Sequence, residues 1–160
     1  MVSTWKPILQ NTYKILDTAE QVSGINLETI TLREAFRFEL LSFLLYLCAA
    51  DGSLNSNERD FINELLDYNY TSETYVEFLK TSDIYSEAFE KKAPMTLRIV
   101  AEVDKLMLQR NPNSELLVPC LIDLYKNIGQ DFLRCDSSYT YREDCDFNIY
   151  MTNLENHFLK

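Results

Sequence analysis

A chain of 160 residues with 46% hydrophobic content and 12% aromatics can bury a sizeable core, which excludes a disordered chain and fits one domain spanning 1–160. A net charge of −10 disfavours nucleic-acid backbones and anionic lipid surfaces as partners. Three glycines and four prolines leave few tight turns, so long helices fit better than many short strands.

The opening MVSTWKPILQ lacks a long apolar run, so no signal peptide is expected. The most apolar stretch, Leu40–Ala50, is about half the roughly 20 residues a membrane-spanning helix needs. Cys48, Cys120, Cys135 and Cys145 form no CxxC or CxH pair. Free, mostly buried thiols in a reducing cytoplasm are the expectation.

Ile8, Thr12, Ile15, Leu16 and Ala19 recur at helical spacing and predict a helix over about 4–22, ended by Gly24. Thr31 and Glu34 have capping-box spacing and open a helix to about Ala50. Between Phe36 and Cys48 it is apolar on nearly every side, the pattern of a central helix. Asn55 and Glu58 form a second capping box ahead of Phe61, Ile62, Leu65 and Leu66. Thr71 or Ser72 caps a further helix with Tyr75, Phe78 and Leu79 inward. The stretch SDIYSEAFEKK predicts another turn or two of helix. Pro94 suits a first helical position. Leu97, Ile99, Val100, Val103, Leu106 and Met107 carry that helix to about Gln109. NPNS at 111–114 is a loop with Ser114 as cap, and Pro119 begins or kinks the next helix near its start. That helix presents Leu121, Leu124, Tyr125, Ile128, Phe132 and Leu133. A last helix over about 141–158 presents Phe147, Tyr150, Met151, Leu154 and Phe158. The expected fold is an all-α bundle of about six to eight helices.

A shift of 85 residues places Asp51 on Asp136, Asn55 on Thr140 and Glu58 on Glu143. Apolar positions follow, with Leu40, Phe43, Leu47 and Cys48 falling on Tyr125, Ile128, Phe132 and Leu133. Two pseudo-repeated helical hairpins, about 31–68 and 115–158, are therefore expected. Ser137 replaces Gly52 in the second corner, where a left-handed backbone would strain it.

Each Asp-x6-Glu corner admits two readings. In one, Asp51, Gly52, Asn55 and Glu58 serve the turn and the cap, with Leu54 plugging the corner. In the other, Asp51, Glu58, Asp136 and Glu143 share an acidic face that holds Ca²⁺ or Mg²⁺, ions that oxygen ligands suit. A normal EF-hand loop is excluded, because its first and third ligand positions fall on Leu47 and Ala49.

The segments CAADGSLNSNERDFINELL, VAEVDKLML and LIDLYKNIGQDFLRCD resemble the tellurite-resistance TerB-like family over roughly residues 30–158. DIYSEAFE and APMTLRIVAEVD have close counterparts in a variant found in clostridial-type bacterial proteins. The resemblance implies an all-helical module linked to stress response, membrane-associated complexes and metal binding, with no established catalytic reaction. It places Asp51 and Glu58 in the family's acidic motif and Asp104 at its mid-chain aspartate.

His157 is the chain's one histidine, so paired-histidine metal sites are excluded and a surface position is expected. No Gly-rich phosphate loop or Gly-x-Ser-x-Gly occurs. Trp5 is expected to pack on the bundle, with an exposed anchor as the alternative. Glu115, Asp123, Asp131, Asp136, Glu143, Asp144 and Asp146 make the later chain acidic, as a solvated face or a docking surface for a basic partner. The leading expectation is a non-enzymatic cytoplasmic module for a protein partner, needing no cofactor, in stress response or as an immunity protein or chaperone for a secreted toxin. A divalent-metal sensor or buffer is the alternative, and a metal-dependent hydrolase a third.

Overall fold

The computed structural model describes residues 2–24, 30–48, 54–81, 94–135 and 141–159. Among them the chain is all-α, with helix packed on helix. The seven helices are α1 (Val2–Ser23), α2 (Leu32–Cys48), α3 (Ser56–Leu66), α4 (Ser72–Thr81), α5 (Met95–Arg110), α6 (Leu117–Arg134) and α7 (Tyr141–Phe158). The predicted helical stretch SDIYSEAFEKK lies outside the described residues.

α2 is the central helix that its apolar run predicts. Every residue from Leu40 to Cys48 is buried, and α2 contacts α1, α3, α5, α6 and α7. Its aromatics organise the middle of the core. Phe43 meets Tyr125 edge-on at 5.1 Å between centroids and lies 4.7 Å from Tyr150. Such pairs add roughly 0.5–1.5 kcal/mol beyond their buried area. Gly129 on α6 lets the helices close up here, since a Cβ at that position would lie 2.7 Å from the Phe147 ring and 2.9 Å from Phe43. α6 buries Leu121, Leu124, Tyr125, Ile128, Phe132 and Leu133, and α7 buries Phe147, Tyr150, Met151 and Leu154, as their spacing predicts.

α1 departs from its expected face. It buries Leu9, Thr12, Tyr13, Leu16 and Ala19, whereas Ile8 and Ile15 are exposed. The helix carries two apolar stripes about a residue apart, and packing on α2, α3 and α5 selects the one with Leu9, Tyr13 and Leu16. Gly24 ends α1 with φ of +67°, a left-handed value that glycine adopts without strain. α5 departs as well. It buries Leu97, Val100 and Val103, but Leu106 and Met107 are exposed because the core stops nearly two turns short of the helix end.

Local chemistry sets several helix ends. Thr31 Oγ1 accepts the Glu34 N–H at 3.1 Å, and Thr71 Oγ1 accepts the Thr74 N–H at 3.2 Å. At the C-terminus of α3, Asp67 holds φ of +57°, and Arg37 of α2 donates to the Leu66 carbonyl at 2.7 Å and the Asp67 carbonyl at 3.1 Å. The same guanidinium lies 4.2 Å over the Tyr68 ring. Trp5 packs on the bundle and donates its indole N–H to Asp131 at 2.6 Å, tying α1 to α6.

Candidate functional site

Asp51, Gly52, Asp136, Ser137 and Thr140 lie outside the described residues, so the two corners enter through Glu58, Glu143 and Asp104. Glu58 is buried at the start of α3. Its backbone N–H donates to Asn55 Oδ1 at 2.9 Å, and its Oε1 accepts the Asn55 N–H at 3.2 Å. Asn55 has the extended backbone of a helix cap, so the predicted capping box forms in full. The other carboxylate oxygen accepts from the buried Cys48 thiol at 3.2 Å. Leu54 is buried beside this cap, as the corner reading requires. Glu143 is buried in the first turn of α7.

Asp104, placed in a metal set by resemblance, has a different set of contacts. It sits near the end of the buried part of α5, 7% exposed. One oxygen accepts the Leu117 N–H and the other the Val118 N–H, each at 2.9 Å. These are the first two donors of α6, whose own cap residue, Leu116, offers no side-chain acceptor. A carboxylate on one helix therefore caps the next, where the positive end of the helix dipole favours an anion. Ser114 is not the cap, and its hydroxyl bonds back to the Met107 carbonyl at 3.4 Å. Pro119 falls in the first turn, where its missing N–H is tolerated.

The same device recurs across the bundle. Glu39 of α2 accepts the Thr96 N–H at 3.2 and 3.3 Å, serving α5, whose cap position is Pro94 rather than the predicted first helical residue. Burial pushes the Glu39 carboxyl above its ordinary value, against the hydrogen bonds from Thr96 and Met95 and the charge of Arg98. Glu20 of α1 accepts the Leu32 N–H at 3.3 Å at the start of α2. Sequence reading missed these three cross-helix caps, because their partners lie 12 to 57 residues apart. The available signal was negative, in that Pro94 and Leu116 stand at helix starts without a capping side chain.

Among the described residues, no three His, Cys, Asp or Glu side chains converge as a metal site. Glu58, Asp104 and Glu143 are thus not brought together as one ligand set. The later acidic residues do not form one solvated face either, since Asp131 takes the Trp5 indole and Glu143 is buried. His157 is exposed, with its ring against Phe158. None of the four cysteines is in a disulfide, and Cys48 is buried, Cys135 and Cys145 half-buried and Cys120 exposed. No helix among the described residues is long and apolar enough to cross a membrane.

Among the described residues, the end of α5 carries a run of exposed apolar side chains. Leu106, Met107 and Leu108, in the last two turns of α5, are 45%, 39% and 37% exposed. A groove lies on either side. One runs along α1, lined by Ile15, Val22, Val103 and Met107 with Glu115 at its edge. The other faces the end of α7, lined by Leu108, Pro119, Phe158 and Leu159. Three consecutive exposed apolar residues thus lie between two largely apolar grooves. Comparison with protein families, with curated proteins and with solved structures finds no match to this chain.

Proposed function

We propose that this chain is a non-enzymatic helical interaction module of the TerB-like kind, acting in the cytoplasm, and that it binds a protein partner through the exposed end of α5. The observation that carries the reading is the run Leu106-Met107-Leu108, exposed on a helix whose earlier turns bury Leu97, Val100 and Val103. Leaving three large apolar side chains in water is costly unless a partner covers them. The two flanking grooves give such a partner places for its own apolar side chains. The carboxylates inside the bundle support the same reading, because the half-buried Glu39 and the buried Glu58 and Asp104 are engaged in holding helix ends. A role in stress response, or as an immunity protein or chaperone for a secreted toxin, fits a compact module with net charge −10.

The test is affinity capture from the native cytosol with the wild type, Leu106→Asp and Leu108→Asp, each checked for helicity. Both positions lie outside the buried core, so the substitutions are expected to leave the fold intact. The expected result is a partner retained by the wild type and lost by both variants. Recovery of the same proteins by all three, or of none by the wild type, overturns the reading.

A further inference from the structure

We propose that the buried hydroxyls of Ser42, Thr96 and Tyr125, gathered beside Glu39 where α2, α5 and α6 meet, form a polar site that holds internal water. This goes beyond the partner-binding reading and rests on the opposite end of α5 from Leu106 and Leu108.

All three side chains are 0% exposed. Ser42 Oγ, Thr96 Oγ1 and Tyr125 Oη have no hydrogen-bond partner among the described residues. Elsewhere the chain closes such hydroxyls locally. Thr12 donates to the Ile8 carbonyl at 2.8 Å and Thr18 to the Lys14 carbonyl at 3.1 Å, each one turn back on α1. Ser42 does not close on its own helix in this way, and Thr96 stands too early in α5 to have a carbonyl one turn back within it. A hydroxyl buried without a partner is costly, and native interiors meet that need with a protein group or with ordered water.

The three hydroxyls share Glu39 as a neighbour. Glu39 accepts the Thr96 N–H at 3.2 Å, and the Thr96 hydroxyl lies beside the carboxylate but outside hydrogen-bond geometry. Ser42 follows Glu39 by three residues, on the same side of α2. Burial raises the Tyr125 phenol, and the Tyr150 phenol and the Glu39 charge add to it, so Tyr125 lies within reach of that charge. Rings wall the inner side, with Tyr150 stacked on Tyr125 at 6.2 Å and Phe43 edge-on to it. Glu39 is half-buried, so the site reaches solvent on its side. Water fits this chemistry because it both accepts and donates. It can accept from the hydroxyls and donate to Glu39, whose two oxygens keep lone pairs beyond those facing the Thr96 N–H. An apolar molecule would leave the hydroxyls unpaired, and an anion would meet Glu39. A cation gains little, because burial favours the uncharged form of that one carboxyl.

Magnetic relaxation dispersion of the water oxygen tests the proposal on the full chain, because it counts water held longer than the molecule takes to tumble. The samples are the wild type, Tyr125→Phe and Ser42→Ala, with urea unfolding of the wild type and Tyr125→Phe alongside. The wild type is expected to show a dispersion, and each variant to lose part of its amplitude. Tyr125→Phe keeps the ring and removes only the hydroxyl, so the held water loses a partner and the urea midpoint falls. A hydroxyl that held no water would behave in the opposite way, since its removal relieves the burial cost and raises the midpoint. A wild type without long-lived water overturns the proposal. So does an amplitude that either variant leaves unchanged, or a urea midpoint that rises in Tyr125→Phe.

Discussion

Removing the Asp104 carboxylate tests how much the cross-helix caps contribute. In Asp104→Ala, the Leu117 and Val118 N–H groups both lose an acceptor at 2.9 Å, and the Val118 bond is buried from water. Losing a helix cap costs roughly 0.5–2 kcal/mol. A buried donor left without a partner costs roughly 1–3 kcal/mol. Leu116 supplies no replacement, so the two losses combine to about 3 kcal/mol. For a chain of this size, that corresponds to a melting temperature lower by about 6–12 °C. Asp104→Asn keeps one acceptor oxygen but turns an amide N–H toward the other donor, so roughly half the loss is expected. Urea unfolding followed by circular dichroism measures both. An Asp104→Ala variant within about 0.5 kcal/mol of the wild type refutes the capping argument. So does a wild type that a chelator destabilises as much as the substitution does, because Asp104 would then be serving a metal.

Glu39 gives a pH signature. Its folded value is raised by burial, so its contribution to stability is fully present below the ordinary 4.5 and is lost as pH rises through the raised value. Glu39→Gln keeps an acceptor for the Thr96 N–H and removes the titration, so stability should fall less between ~pH 5 and 8 than in the wild type; parallel urea midpoints across that range would refute this. Gly129→Ala gains about 1 kcal/mol in helix propensity but forces a methyl group into the Phe43 and Phe147 rings, at a cost of roughly 1–3 kcal/mol. A net loss of stability with an altered near-ultraviolet aromatic signal is expected, and a variant more stable than the wild type would show that the rings give way freely.

The helices were legible wherever apolar spacing left one choice. α6 and α7 bury the residues their periodicity selects, and α2 is buried where it is apolar all round. Asn55 and Glu58 were equally readable, because a capping box joins residues three apart. α1 was not, since Ile8 and Ile15 have the same hydrophobicity and spacing as Leu9 and Leu16. α5 offered no sign that its core would end before Leu106. Asp104 and Glu39 read as acidic residues on helices, with nothing nearby to show that they would meet helix ends.

What the sequence alone determined was local: which segments are helical, where Thr31, Asn55 and Thr71 begin them, and which helix is apolar enough to sit at the centre. Those outcomes depend on residues within a turn or two of one another. Tertiary structure decided which of two apolar stripes on α1 faces inward, and how far along α5 the core extends. It also set which helix ends receive the carboxylates of Glu20, Glu39 and Asp104. Each of these depends on what a distant segment brings to the contact, and hydrophobic spacing carries no record of it.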